Sequence, residues 1–140
     1  MGIVARAELD IDRPAAELFD KLADFGRWAS FMPKGFEPVS GPQRTLAIGD
    51  VFVVQLGPGV RSKLRVTRLQ AHKEIAWRGG LPGVLVGEHA FYFEALSPSR
   101  TRVRSEEPFS GLVPSLPVLG PTIERLASAA GRQMLQALAR

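Results

Sequence analysis

The sequence contains no cysteine and only two histidines. The lack of cysteine excludes disulfides, thiolate zinc sites and thiol nucleophiles. His72 and His89 lie far apart in the chain, and we therefore expect no metal site. The sequence also lacks a GxSxG elbow, a P-loop and a GxGxxG motif after a strand, so we expect no cofactor.

Long apolar runs are missing as well. The N-terminal segment carries charges where a signal peptide needs an apolar core, and no uncharged run has the length of a transmembrane helix. These features favour a cytoplasmic location. The net charge of +4 is modest. Cationic residues on the predicted strands are not interleaved with aromatic ones, so we expect no nucleic-acid partner.

Large apolar rings are well represented among the residues that are present. Eight Phe and two Trp stand against one Tyr, and 45% of the residues are hydrophobic. A chain of 140 residues can bury a substantial core. We therefore expect a single domain over residues 1–140.

The N-terminal part of the chain predicts one strand and two short helices. Apolar and polar residues alternate over 3–11, which is typical of a strand with one buried face. Asp12 and Pro14 form a helix-start signal, and the helix ends at Gly26. A second, shorter helical segment is predicted over 27–32.

The middle of the chain predicts an antiparallel sheet, because Gly and Pro breaks recur about every ten residues. The predicted strands cover 36–43 (the weakest, since Pro and Gly interrupt it), 50–56, 61–69, 73–78, 87–96 and 101–109. Residues 79–87 are predicted to be a flexible, apolar connector.

The C-terminal segment predicts a long helix that starts at Gly120 and Pro121, with a looser helical entry near Gly111 as an alternative. Its expected inward residues are Ile123, Leu126, Ala127, Ala130, Met134, Ala137 and Leu138. Most of them are small. Gly131 beside them either lets the sheet approach closely or leaves room for a ligand. Only this helix is long enough to cover the sheet, so the expected class is α+β.

Several short motifs follow one another in a familiar order: Ile11-Asp12-Arg13-Pro14-Ala15, Trp28, Gly49-Asp50, Trp77-Arg78-Gly79, the strand from Gly87 to Phe93, and residues 105–111 (SEEPFSG). Their order resembles the START-like, or SRPBCC, superfamily, within its polyketide cyclase/dehydrase-like group. The resemblance implies a helix-grip fold, in which a seven-stranded antiparallel sheet curves around a long C-terminal helix, with two short helices between strands 1 and 2. It also implies an internal pocket for apolar small molecules, and no single chemistry.

Two polar residues share the expected inward face of the last two strands. A three-residue loop over 97–99 places His89 opposite Glu107, whereas a longer loop or a bulge places Phe91 there. In both cases the imidazole and the carboxyl group lie near each other. The pair could act as a general acid and base, could orient a ligand carbonyl or hydroxyl, or could be purely structural.

The expected inward faces of the strands and of the last helix predict the walls of a pocket between the sheet and that helix. Its members are rings, small helix residues and apolar loop residues: Trp28, Phe31, Phe52, Trp77, Leu81, Leu85, His89, Phe91, Phe93, Val103, Ser105, Glu107, Phe109, Leu112, Ala127, Ala130 and Met134. Most buried aromatic residues belong simply to a core. The small residues of the helix favour a cavity here.

Two apolar, proline-containing loops, 79–87 and 110–121, are expected to flank one end of this cavity. They could form a lid, touch a membrane surface transiently, make a dimer contact or fold back onto the core. Both a monomer and a homodimer remain open.

Three functions are compatible with these features. The first is binding or carriage of an apolar small molecule, such as a lipid, a polyketide, a quinone or another aromatic compound. The second is a cyclase or dehydratase that uses His89 and Glu107. The third is a protein-interaction module that uses the apolar loops. Binding is favoured over catalysis because one acid/base pair is present without a nucleophile.

Overall fold

The structure is a computed structural model that describes residues 2–140. Its strands are β1 (Ile3–Ile11), β2 (Glu37–Ser40), β3 (Val51–Gly57), β4 (Val60–Gln70), β5 (Glu74–Leu81), β6 (Leu85–Ser97) and β7 (Arg100–Ser110). Its α-helices are α1 (Ala15–Ala23), α2 (Trp28–Phe31) and α3 (Leu119–Ala139). The strands form one antiparallel sheet in the order β1-β7-β6-β5-β4-β3-β2. This arrangement confirms the predicted α+β, helix-grip fold.

Short helical turns link these elements. A 3-10 turn over Phe25–Arg27 joins α1 to α2, and a second over Val113–Ser115 precedes α3. Both α1 and α2 therefore lie between β1 and β2, as the sequence predicts. The weakest predicted strand is present as β2, a short edge strand of the sheet.

The prediction of a flexible connector over 79–87 is wrong. Strand β5 continues to Leu81 and β6 begins at Leu85, so that the two strands form a hairpin with a tight turn. The ladder between them includes the pairs Gly79–Gly87 and Gly80–Val86. Gly80 has a φ of 121°, a conformation that glycine adopts without strain. Glycine therefore permits this part of the hairpin rather than making it flexible.

An aromatic core fills the space between the sheet and the short helices. Trp28, Phe52, Trp77 and Phe91 are buried almost completely. The ring centroids of Trp28 and Trp77 are 5.3 Å apart, and those of Trp77 and Phe91 are also 5.3 Å apart. The indole Nε1 of Trp28 donates a hydrogen bond to the Leu22 carbonyl at 2.8 Å. This part of the interior is closed by side chains alone.

Helix α3 packs mainly on β1 and β7. A Cβ atom on Gly131 would lie 2.8 Å from Ser105 Oγ and 3.7 Å from Ala7 Cβ. Of the two interpretations of Gly131, close approach of the helix to the sheet is the one that the structure shows. The inward face of α3 also differs from the predicted one. Leu135, which was not among the predicted inward residues, is fully buried, whereas Leu126, which was among them, is 61% exposed.

We predict that Gly131→Ala destabilises the protein. Alanine normally stabilises a helix by about 1 kcal/mol relative to glycine. Here the added methyl group overlaps Ser105 Oγ, and overpacking of this kind costs about 1–3 kcal/mol. We expect a net loss of about 1 kcal/mol in the free energy of unfolding, measured by urea denaturation. The exposed Arg132→Ala serves as a control with little effect. A more stable Gly131→Ala would contradict the close approach.

Candidate functional site

A cavity of about 200 Å³ lies on the inward face of the sheet, next to the aromatic core. Strands β3 to β7 and the segment before β2 supply its walls. The lining residues are Phe36, Leu56, Ser62, Leu64, Trp77, Gly79, Gly80, Leu85, Gly87, His89, Glu107 and Phe109. The cavity is thus bounded by three aromatic rings, several aliphatic side chains and one polar pair.

Two paired glycines explain why space is left at this position. Trp77 pairs with His89 across β5 and β6, and two residues along each strand Gly79 pairs with Gly87. Residues two apart on a strand face the same side of the sheet. Both glycines therefore occupy inward positions without a side chain. The neighbouring aliphatic and aromatic groups cover this bare backbone only in part.

The His89 side chain is buried at the wall of this cavity, with 3% of its surface exposed. Its ring stacks on Phe91 with 4.3 Å between the centroids. Nε2 lies 2.6 Å from Ser105 Oγ, within hydrogen-bond distance. Within residues 2–140, Nδ1 of His89 is the one buried side-chain nitrogen or oxygen that has no hydrogen-bond partner. Such unpaired atoms are rare in native proteins and call for an explanation.

Glu107 lies on the same side of the sheet. The pairs Gly87–Phe109 and Ala90–Glu106 set a register that places His89 opposite Glu107. A two-residue turn combined with a bulge near Ala95 gives the same offset as the predicted three-residue loop. Glu107 Oε1 is 3.6 Å from His89 Nδ1, which is slightly too far for a hydrogen bond.

Burial controls the protonation of both groups. It lowers the pKa of His89 to about 3 and raises the pKa of Glu107 to about 7. In each case the cause is the loss of water around the charged form. At neutral pH the imidazole is uncharged, and the Glu107 carboxyl is close to its midpoint. The pair therefore offers both a donor and an acceptor at low net charge, which suits a neutral hydroxyl or carbonyl group.

The structure separates the predicted pocket residues into three groups. Those that line the cavity are Trp77, Leu85, His89, Glu107 and Phe109. Those that lie away from its walls, in the packed interior or half-buried, are Trp28, Phe31, Phe52, Phe91, Phe93, Val103, Ser105, Ala127, Ala130 and Met134. Those that lie exposed are Leu81, at the end of β5, and Leu112, in the segment after β7. A role in ligand binding stays a prediction for all of them.

Sequence reasoning missed several wall residues: Phe36, Leu56, Ser62, Leu64, Gly79, Gly80 and Gly87. Leu64 alternates with the charged Lys63 and Arg65 along the predicted strand 61–69, a pattern that is typical of an inward residue. The two paired glycines carried a signal too, since an inward glycine in a strand marks missing side-chain volume. Their effect depends on the β5–β6 register, which required the hairpin to be recognised.

The turn between β5 and β6 and the segment after β7 meet beside the cavity. Leu112 and Val113 donate backbone hydrogen bonds to Gly83 and Val84 at 3.0 and 2.9 Å. The exposed apolar side chains in and next to these two segments, which we call the apolar rim, are Leu81, Val84, Leu112, Leu116, Val118 and Leu119. Leu85, next to the rim, is part of the cavity wall.

Within residues 2–140, no three His, Asp or Glu side chains come together in a way that could hold a metal ion. None of the helices in the described part of the chain combines the length and apolar character that crossing a membrane requires.

The chain belongs to the polyketide cyclase/dehydrase and lipid transport family, whose model matches residues 3–140. No curated protein matches the sequence.

Solved structures share the fold at low sequence identity. A START superfamily protein from Mycobacterium smegmatis is 16% identical, with a TM-score of 0.72 over 97% of this chain and 94% of the other. The di-domain aromatase/cyclase StfQ from the steffimycin pathway is 15% identical, with a TM-score of 0.78 over 99% of this chain and 50% of StfQ.

A third similar structure is DynU16, a protein of the dynemicin biosynthetic locus. It is 15% identical, with a TM-score of 0.71 over 98% of this chain and 46% of DynU16. The chain thus spans about half the length of StfQ and DynU16.

We predict a pH-dependent effect of Glu107→Gln on stability. The raised pKa of Glu107, about 7 against an ordinary 4.5, contributes stability below pH 4.5 that is lost as the pH rises through 7. Glutamine stays neutral throughout. The variant should match the wild type near pH 4.5 and exceed it by about 1–3 kcal/mol at pH 8, as measured by urea unfolding.

The lowered pKa of His89 acts in the opposite direction, because its contribution to stability is lost as the pH falls from 6.5 towards 3. Because both the wild type and Glu107→Gln contain His89, this contribution cancels when their free energies of unfolding are subtracted. A difference that stays constant from pH 4.5 to 8 would show that the carboxyl group is not buried as described.

Proposed function

We propose that this protein binds an apolar ring compound that carries one hydroxyl or carbonyl group, and that it acts as a carrier or receptor. The observation that carries this proposal is the unpaired Nδ1 of His89, a residue that lines the cavity. An unpaired buried polar atom costs about 1–3 kcal/mol. A ligand hydroxyl or carbonyl beside Nδ1 and Glu107 would offset that cost by completing the hydrogen bonds.

The volume limits the ligand. About 200 Å³ is less than the roughly 300–1,000 Å³ of pockets for drug-sized molecules. The cavity therefore suits one or two fused rings, or one end of a longer molecule. Trp77, Leu64 and Phe109 supply the apolar contacts. Lipids, polyketides and quinones all include members with an apolar body and a single polar end of this kind.

The apolar rim supports exchange of such a ligand with its surroundings. It lies next to Leu85 of the cavity wall, and its leucine and valine side chains are exposed. Exposed apolar clusters are typical of binding surfaces. Transient contact of the rim with a membrane surface would allow an apolar ligand to enter without passing through water.

We expect 1-naphthol to bind in the cavity. Titration monitored by amide chemical shifts should perturb Gly87, His89 and Glu107. 1-Methoxynaphthalene, which has the same rings but no hydroxyl donor, should bind about fivefold or more weakly, because a hydrogen bond contributes about 1 kcal/mol.

Matched variants test the location of the ligand. Ser62→Phe places a ring in the cavity wall and should abolish binding, whereas Ser99→Phe at the exposed β6–β7 turn should leave it unchanged. Native mass spectrometry of the purified protein adds a direct search for a retained ligand. If 1-naphthol leaves the cavity amides unmoved, or binds Ser62→Phe normally, the proposed site is wrong.

A catalytic function has one observation in its favour. The pKa of Glu107, about 7, lies where a general acid or base works best at neutral pH. His89, with a pKa of about 3, is too weak a base for this role and would orient the substrate. Proton abstraction next to a ketone, as in a cyclase or dehydratase, is the reaction that such a carboxylate could perform.

Deuterium exchange of 2-indanone in D₂O tests this second function. A catalytic Glu107 predicts that the wild type accelerates exchange of the protons next to the carbonyl and that Glu107→Gln loses this acceleration while it still binds 1-naphthol. Equal exchange rates for the two proteins would exclude proton abstraction by Glu107 and leave the binding function in place.

A further inference from the structure

The outer face of the sheet has a depression of about 360 Å³ behind the cavity. Its walls come from β3 to β6 and combine three cationic side chains with apolar ones. The lining residues are Val51, Lys63, Leu64, Arg65, Thr67, Arg78, Gly79, Gly80, Pro82 and Val86. It shares only Leu64, Gly79 and Gly80 with the inner cavity. The two spaces therefore lie on opposite sides of the same stretch of backbone.

The cations of this depression are placed unfavourably for the isolated protein. Arg65 and Arg78 lie directly opposite each other on β4 and β5. Like charges at such positions destabilise a sheet. Lys63 occupies the next outward position on β4. Within residues 2–140, none of these three side chains forms an ion pair.

The rest of the outer face shows the opposite arrangement. Arg68 contacts Glu74 at 3.1 Å, Arg102 contacts Asp10 at 2.8 Å, and Arg104 contacts Glu106 at 3.1 Å. Among the residues described, several cations of this surface are therefore matched by carboxylates, whereas the three at the depression, the neighbouring Arg61 and Arg6 on the distant strand β1 are not.

The one carboxylate that faces Arg78 in the sheet is engaged elsewhere. Glu88 pairs with Arg78 across β5 and β6, but its carboxylate accepts a hydrogen bond from Thr67 Oγ1 at 2.8 Å and contacts Arg68 at 3.5 Å. Arg65 is held in place, since its Nη1 donates to the Gly49 carbonyl at 3.2 Å. Positive charge is thus fixed at the depression without an internal counter-charge.

We propose that this depression binds a small organic anion, with its carboxylate or phosphate group between Arg65 and Arg78 and its apolar part against Val51, Pro82 and Val86. Guanidinium groups bind both kinds of anion through paired hydrogen bonds. The anion would remove the repulsion between the opposed arginines. This site is independent of the ligand proposed for the inner cavity.

Phenyl phosphate is a suitable probe, with inorganic phosphate as the probe that lacks an apolar part. Phenyl phosphate should shift the amide signals of Val51, Arg78, Gly80 and Val86 in a saturable titration and should leave His89 unmoved. Inorganic phosphate should bind the same site more weakly. Arg65→Gln and Arg78→Gln should each weaken binding of phenyl phosphate by about fivefold or more.

Arg132→Gln is the matched control, because it removes the same charge from an exposed position on α3. It should leave the affinity unchanged. If all three variants weakened the binding of phenyl phosphate equally, net charge alone would explain the effect, and the proposal would be overturned. The absence of saturable shifts would overturn it as well. Binding to vesicles of anionic lipid without any response to phenyl phosphate would also overturn it and would assign this face to a membrane surface.

Discussion

The burial of one imidazole ring controls the chemistry of the proposed site. His89 is enclosed by Phe91, Trp77 and Ser105, and the loss of water keeps its ring uncharged at neutral pH. One ring nitrogen has a partner and the other has none. Because an unpaired buried nitrogen is unfavourable, the folded protein retains a capacity for a hydrogen bond at the cavity wall.

The position of that ring depends on packing some distance from the cavity. Gly131 allows α3 to contact β7 at Ser105, and Ser105 in turn bonds His89. On the other side, the large core rings of Trp77 and Phe91 hold the imidazole in place. The core and the site are therefore not separate: the residues that stabilise the fold also fix the direction of Nδ1.

The space on the inward face of the sheet is filled at one end and partly empty at the other, because the inward residues differ in size. Where inward positions carry Phe or Trp, the interior is filled by contacts between rings. Where Gly79 and Gly87 occupy the equivalent positions, Leu64 and Phe109 pack close to the bare backbone, and a cavity remains beside them. A change of residue size along two neighbouring strands thus sets where a ligand could bind.

Much of this could be predicted from the sequence, because it depends on local periodicity. Alternation along β6 and β7 placed His89 and Glu107 on the inward face, and loop length limited their register to two choices. The resemblance to a known family supplied the helix-grip topology. The alternation of Lys63 and Arg65 with Leu64 is also visible in the sequence and indicates that both cations face outward.

The extent of the cavity could not be predicted in the same way. It depends on which rings touch each other, and Trp28 and Phe52 fill space that the sequence left open to a ligand. The paired glycines became visible only once residues 79–87 were seen to form a hairpin. Packing of side chains from distant parts of the chain, rather than any local pattern, decides both points.

The most direct test of this account is a measurement of the two ring nitrogens of His89 by long-range ¹H–¹⁵N correlation spectroscopy at pH 7, with and without 1-naphthol. We expect a neutral ring in the free protein, and a change in the Nδ1 chemical shift on binding while Nε2, bonded to Ser105, changes little. A protonated ring, or an Nδ1 signal that does not respond to the bound ligand, would contradict this account.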